Sequence, residues 1–223
     1  MFRTSFKAVA VAAALLAGGT LTACRPVKVG AAATVGDQRI TISQLESVVD
    51  DWQREFAKNP DAGQLQQQLQ QQGQQVPFDP DSPVRSTLYQ LVEMRVWDQV
   101  AREKGVAVGR GQVDEMIARN GGDRVIHANL LAGSLPVRYS RDFVRSGLIV
   151  RAVAQQAGAT VDAQAPVDQQ QQQEALRRLQ EAYLHAAKTL KIKINPRYGS
   201  FDPRQGGMTP AIHTLSKNGS DIR

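Results

Sequence analysis

Apolar residues recur at helical spacing just after a short β-compatible stretch near the amino terminus. The recurring positions are Leu45, Val48, Val49, Trp52 and Phe56. Because a helical turn takes three to four residues, these side chains share one face of a helix. Thr41 is suited to cap that helix, and Gln44 completes a capping box. Residues 33–41 form two short runs around Gly36-Asp37, which indicates a hairpin followed by a helix.

The same periodicity predicts further helices, separated by Pro, Gly or polar breaks. Their predicted spans are 61–75, 84–104, 112–119, 123–132 and 167–190, with one more helix that begins at 140 and ends before the break at 158. The Gln-rich span 61–75 is expected to be loosely packed or partly disordered. Asn59, Ser82 and Ser140 are expected to cap the helices that follow them, and Gly105 is expected to end the long helix 84–104. The apolar stripe of the last helix is predicted as Leu176, Leu179, Tyr183, Ala186 and Leu190.

The last short apolar run alternates as an edge strand does, in Lys191-Ile-Lys-Ile194. Two strands alone are marginal in water, so residues 191–195 are expected to join the hairpin 33–41 as a third strand. The fold class predicted is therefore mainly α, with a small β-sheet that joins the two ends of one domain, residues 33–202. Residues 203–223 are rich in Gly, Ser, Pro and charge and are expected to form a disordered tail.

The amino terminus has the organisation of a secretion signal. Arg3 and Lys7 precede an apolar run, residues 8–21, that is short for a membrane span. The run ends in Leu21-Thr22-Ala23-Cys24, which resembles the lipobox of bacterial lipoproteins. That resemblance implies cleavage after residues 1–23, acylation of Cys24 (palmitate-type lipid), and a tether over residues 24–32. It also implies an anchor at the extracytoplasmic face of the cell membrane; the alternative is an ordinary signal with a chance cysteine.

Three motifs resemble those of the SurA/PrsA group of extracytoplasmic folding factors. The first comprises Val35, Gly36, Ile40, Thr41 and Leu45. The second comprises Lys104, Gly105, Val106, Val108, Gln112 and Val113, although Gly109 replaces the usual capping hydroxyl. The third is Asn195-Pro-Arg-Tyr-Gly199. The resemblance implies a SurA N-terminal-like helical chaperone domain. Fuller members insert a parvulin-type prolyl isomerase module, for which residues 134–166 leave too little room.

Charge and side-chain spacing exclude several other functions. The formal net charge is +6, and loss of Arg3 and Lys7 with the signal leaves +4, without the dense basic stripe that nucleic-acid binding requires. His127, His185 and His213 are scattered and Cys24 is the only cysteine, so no metal spacing exists. The acidic residues Asp50, Asp51 and Glu93 are best explained as solvated helix faces. We therefore expect no enzyme, cofactor or metal.

The leading hypothesis is a membrane-tethered, ATP-independent chaperone (a holdase) that binds unfolded exported proteins. Trp52, Phe56, Trp97 and Phe143 are the candidate client-binding residues; the alternative interpretation places each of them in the fixed core. A second hypothesis is a structural or adaptor lipoprotein that binds one folded envelope partner. The third is a residual peptidyl-prolyl isomerase.

Overall fold

The computed structural model describes residues 29–71, 82–160 and 168–209. Within these ranges the chain forms seven α-helices and five short strands. The helices are α1 (Ile42–Phe56), α2 (Pro60–Gln71), α3 (Pro83–Lys104), α4 (Arg110–Arg119), α5 (Gly122–Ala132), α6 (Ser140–Gln156) and α7 (Gln169–Thr189). The strands are β1 (Ala31–Val35), β2 (Gln38–Thr41), β3 (Lys193–Ile194), β4 (Ser200–Asp202) and β5 (Gly207–Thr209). The predicted mainly α fold is confirmed.

Some predictions fall outside the described residues. These are the signal peptide, Cys24, the start of the tether, the end of the Gln-rich span beyond Gln71, and residues 210–223 of the predicted tail. Within the described ranges, no helix combines the length and the apolar character needed to cross a membrane.

The two ends of the domain meet in one antiparallel sheet with the strand order β2-β1-β3. Ala33 pairs with Ile194 and Thr34 pairs with Lys193, which confirms the predicted third strand. Strand β1 lies in the middle of the sheet, and its residues Ala31, Ala32 and Ala33 are completely buried. Small side chains at these positions allow α3 to pack closely on the sheet.

The hairpin turn is tied to the end of the last long helix. Gly36 has a φ of +58°, a left-handed conformation that a residue with a Cβ adopts only at a cost. Its amide donates a 2.6 Å hydrogen bond to the carbonyl oxygen of Leu190, and a Cβ here would lie 3.1 Å from Leu190 Cδ2. Glycine thus serves both the turn and the close approach of α7.

Helix α3 is the centre of the domain, because it packs against α1, α6, α7 and β1. Five of its aliphatic or small side chains are nearly or fully buried along its length. They are Leu88, Val92, Val96, Val100 and Ala101. Helices α2 and α4 lie further out: α2 packs mainly on α5, and α4 packs on α5 and α6. Removal of α3 would therefore leave no common core.

Most predicted helix ends are found where the local sequence placed them. Thr41 and Gln44 form both bonds of the capping box, at 2.9 and 3.0 Å. Asn59 and Ser82 accept from the backbone amides of Ala62 and Arg85 as caps do. The prediction for Ser140 was wrong. A short 3₁₀ turn, Val137–Tyr139, precedes α6, and the Ser140 hydroxyl donates back to the carbonyl oxygen of Val137 instead of capping the helix.

The predicted stripe of α7 was wrong at its start. Leu176 is 52 % exposed, and the neighbouring Ala175 is fully buried. The buried face of α7 is built mainly from alanines. Its members are Ala175, Ala182, Tyr183, Ala186 and Ala187. Small residues let α7 approach α3 and α6 closely, so the position of the neighbouring helices decides which side chain is buried.

The domain boundaries also need two corrections. The tether was predicted over residues 24–32, but strand β1 already begins at Ala31, so the prediction extends two residues too far. Residues 203–209, predicted to be part of a disordered tail, form a turn and the strand β5, which pairs with β4. The turn packs on α7, since a Cβ at Gly206 would lie 2.7 Å from the Tyr183 ring. Packing on an aromatic ring therefore orders a segment whose composition is typical of tails.

Candidate functional site

Trp52 and Phe56 pack together at the junction of α1, α2 and α5. Their ring centroids are 5.4 Å apart. Trp52 is only 6 % exposed, and its indole N–H donates a 2.7 Å hydrogen bond to the buried carbonyl oxygen of Leu131. Ala62 of α2 completes this small cluster. The structure thus places Trp52 in the fixed core, and its role in client binding stays a prediction.

Trp97 and Phe143 line a common open groove of about 530 Å³. Helix α3 forms one wall and α6 the other, and α4 and α5 each add one side chain. We call this the methionine groove, after its two half-buried methionines. Its apolar lining comprises Met94, Trp97, Met116, Ile126, Phe143, Val144, Leu148 and Val150. The four sequence-predicted residues therefore fall into two pairs, Trp52 with Phe56 and Trp97 with Phe143. Trp97 borders the groove but is only 9 % exposed and also belongs to the main core.

The Trp97 side chain on the α3 wall of the methionine groove is held in place by a contact with α7. The Trp97 ring contacts Tyr183 of α7 with ring centroids 5.1 Å apart and the ring planes tilted by 52°. The turn between β4 and β5 also packs on Tyr183. Offset or tilted aromatic pairs add stability beyond the area that they bury. Trp97 is thus a fixed surface, whereas the methionines beside it can change rotamer.

One carboxylate lies in the apolar wall of the groove. Glu93 is half-buried on α3, and the Trp97 indole N–H donates to its Oε1 at 3.4 Å. Burial raises the pKa of Glu93 above its ordinary value of 4.5, and the bond from Trp97 partly opposes the shift. Burial and then the charge of Glu93 raise the pKa of Tyr89, one turn earlier, to about 12. The interpretation of Glu93 as a solvated helix face was therefore wrong.

A second cavity, also of about 530 Å³, lies between α1, α3 and α6 and has a different character. Its walls carry serine and glutamine side chains and three arginines. Arg145 pairs with Asp98, and Arg138 pairs with Asp51. Arg95 donates from Nε to Gln38 at 2.8 Å, while its buried Nη1 has no hydrogen-bond partner. Because ion pairs largely fill its polar rim, this cavity suits an apolar ligand less well than the methionine groove.

No group of three His, Cys, Asp or Glu side chains in the described part of the chain is placed to hold a metal ion. His185 contacts Glu103 at 3.2 Å on the exposed surface of α7 and α3. Nothing in this pair resembles the arrangement of nucleophile and base that catalysis needs.

The architecture defines a mainly α domain, closed by a small sheet and carrying an open apolar groove beside its central helix. A match to the family described as SurA-like N-terminal domain spans residues 3–122, more than half of the chain. The chain belongs to this family. Membership indicates a chaperone-like role in protein folding. Comparisons with curated proteins and with solved structures gave no match.

The family match covers the hairpin, α1 to α4 and the first residue of α5. It therefore includes one wall of the methionine groove, with Glu93, Met94 and Trp97, and it includes Met116 of α4. The wall formed by α6, with Phe143, lies beyond the match. The groove is thus built where the family domain meets the helices that follow it.

Sequence reasoning missed Glu93 and Met94 as groove residues. Met94 gave no local signal, because it lies at the edge of the apolar stripe of its helix. Glu93 carried one weak signal: it precedes Trp97 by one helical turn, so the two side chains had to be neighbours. The sequence does not reveal that α6 covers the pair.

Proposed function

We propose that this protein is a membrane-anchored extracytoplasmic lipoprotein that acts as an ATP-independent holdase for unfolded exported proteins. The observation that carries the proposal is the methionine groove. Flexible methionines beside a rigid tryptophan suit apolar segments of varied shape, because methionine adapts its rotamers to what it contacts. Membership of the SurA-like family supports the chaperone part of the proposal.

The mechanism is reversible burial of client side chains between α3 and α6. Burial of one large aliphatic or aromatic side chain contributes about 1.5–3 kcal/mol, before the entropy lost by the client is subtracted. A groove of this size therefore gives modest affinity, and the client leaves by dissociation and folding. Nothing in this cycle requires a nucleotide, a metal or a covalent step, so we propose no catalytic role.

A helical glycine offers a way to fill the groove without disturbing the core. Gly147 lines the groove on α6, and a Cβ added there would meet nothing within 4 Å. Gly147→Leu is expected to occupy the client space while improving helix propensity by up to about 1 kcal/mol. Gly63→Leu on α2 is the matched control, since Gly63 is also helical, lies outside the groove and has free space at its Cβ.

The test measures how far each variant suppresses the aggregation of several unrelated chemically denatured proteins. We expect wild type and G63L to suppress aggregation, and G147L to have lost most of this effect at equal thermal stability. Full activity of G147L would refute the groove as the client site. Binding to one folded partner only would favour the adaptor hypothesis, and turnover of a prolyl peptide would favour the residual isomerase.

The membrane anchor is tested separately on Cys24. We propose that lipid on this residue holds the mature chain at the extracytoplasmic face of the membrane. Two acyl chains anchor firmly because each buried CH₂ contributes roughly 0.8 kcal/mol. Mass spectrometry of the amino-terminal peptide should find diacylglycerol on Cys24, and Cys24→Ser should move the protein to the soluble fraction. A wild-type protein that carries no lipid would refute this part of the proposal alone.

A further inference from the structure

Among the described residues, the charge on the wall of the methionine groove has no partner of opposite sign. Glu93 forms no ion pair within the described part of the chain, and its one hydrogen bond comes from Trp97. That bond, at 3.4 Å, is longer than the usual 2.9–3.0 Å of an N–H···O bond. A carboxylate has about four acceptor sites, so most of the acceptor capacity of Glu93 is unused. The half-buried charge is therefore poorly compensated.

The other charged group on the groove does not compensate it. Arg151 lines the same groove from α6, but its side chain is exposed and forms no bond with Glu93. A solvated guanidinium has little electrostatic effect because water screens it. Glu93 lies among Met94, Trp97 and Phe143, where the surroundings screen charge less. The groove thus presents an apolar surface with one dominant negative charge.

From this charge complementarity we propose that the groove selects apolar client segments that carry an adjacent lysine or arginine. The client's cationic head group binds the Glu93 carboxylate, and its methylene stem and apolar neighbours pack on Met94, Trp97 and Phe143. Long basic side chains suit such a site because the stem is apolar and only the tip is charged. This inference rests on the proposed holdase function and assigns Glu93 as a specificity-determining residue.

The test compares three fluorescent peptides that share one apolar sequence and differ only at a flanking residue, which is Lys, Gln or Glu. Affinities are measured with the full mature protein by fluorescence anisotropy. A charge-assisted hydrogen bond predicts that wild type binds the Lys peptide about tenfold more tightly than the Gln peptide. In Glu93→Gln the ratio of these two affinities should fall to near one. Glu46→Gln, which removes an exposed carboxylate of α1, should keep the wild-type ratio.

A pH titration of wild type gives a second measurement that needs no variant. The groups that face Glu93 are Tyr89 on α3, Tyr183 on α7 and Arg151 on α6; α4 and α5 contribute only Met116 and Ile126. The raised pKa values of both tyrosines keep them neutral in acid. Acidification therefore changes the protonation state of Glu93 alone among these groups. We expect the preference for the Lys peptide to disappear as Glu93 becomes protonated.

The outcomes separate this inference from the function on which it rests. Equal affinity for the Lys and Gln peptides in wild type, with both lost in G147L, would overturn the selection by charge and leave the holdase intact. A preference for the Glu peptide would overturn it as well and identify Arg151 as the dominant charge. Failure of all three peptides to bind would overturn both proposals.

Discussion

Asn195 donates its side-chain amide to the carbonyl oxygen of Ala31, across 164 residues of chain, at 3.0 Å. Its backbone amide donates to Ala32, at 2.8 Å. The two bonds extend the pairing of β3 with β1 beyond Ile194. The side-chain oxygen of Asn195 also accepts from Arg197 and begins the turn that follows. Asn195 therefore adds two bonds to the strand pairing that joins the two ends of the domain.

Asn195→Ala is expected to destabilise the domain by about 1–2 kcal/mol, because it leaves the carbonyl of the buried Ala31 without that donor. Urea unfolding of the mature protein measures this change. Asn129→Ala is the control: its side chain bonds to Val125 within the exposed face of α5, so a change within about 0.5 kcal/mol is expected. Equal effects of the two substitutions would show that the side-chain bond from Asn195 to Ala31 adds nothing to stability.

Trp52→Phe is expected to reduce stability without reducing client binding. The substitution removes the indole N–H and leaves the buried carbonyl of Leu131 unsatisfied, which costs about 1–3 kcal/mol. Thermal unfolding and aggregation suppression, measured below the melting temperature of the variant, check the two parts. Loss of suppression at unchanged stability would instead identify Trp52 as a client contact.

Glu93→Gln is expected to raise stability at pH 7. Because burial raises the folded-state pKa of Glu93 above 4.5, the native state binds more protons than the unfolded state between these two values. The contribution of Glu93 to stability is therefore lost as pH rises through the folded-state pKa. The melting temperature of E93Q should exceed that of wild type at neutral pH, and the two should converge below about pH 4.5. A difference in melting temperature between E93Q and wild type that stays constant with pH would contradict the assignment of the effect to the Glu93 charge.

Ser134→Gly is expected to stabilise the protein by about 0.5–1 kcal/mol. Ser134 has a φ of +69° at the end of α5, where the amide of Leu135 donates to Leu130 and closes a Schellman motif. The Ser134 hydroxyl is also buried without a hydrogen-bond partner. Glycine removes both penalties and keeps the carbonyl that accepts from Thr87. Urea unfolding tests the sign, and a destabilised S134G would show that the hydroxyl has a partner.

The turn at Ser134 also shows a feature of the backbone that the local sequence does not predict. The predicted helices 123–132 and 140 onwards leave a break between them that contains Gly133 and Pro136, and the break is found. Glycine is the residue that commonly adopts the left-handed conformation, yet Gly133 has a φ of −89° and Ser134 adopts it instead. The contact between Thr87 and Ser134, from a helix distant in sequence, holds this geometry. A local pattern predicts that a turn exists, but the residue that bears the strain depends on a tertiary contact.

The sequence by itself determined the helices, most of their caps, the hairpin and the strand that closes the sheet. These features depend on hydrogen bonds or apolar periods that span a few residues, as at Thr41 and Gln44, so the necessary information is local. Only the tertiary structure decided that Glu93 and Phe143 share a groove, that Leu176 faces water and that residues 203–209 are ordered. Whether a side chain is buried depends on which helices pack together. The sequence of one helix does not specify the positions of the helices that pack against it.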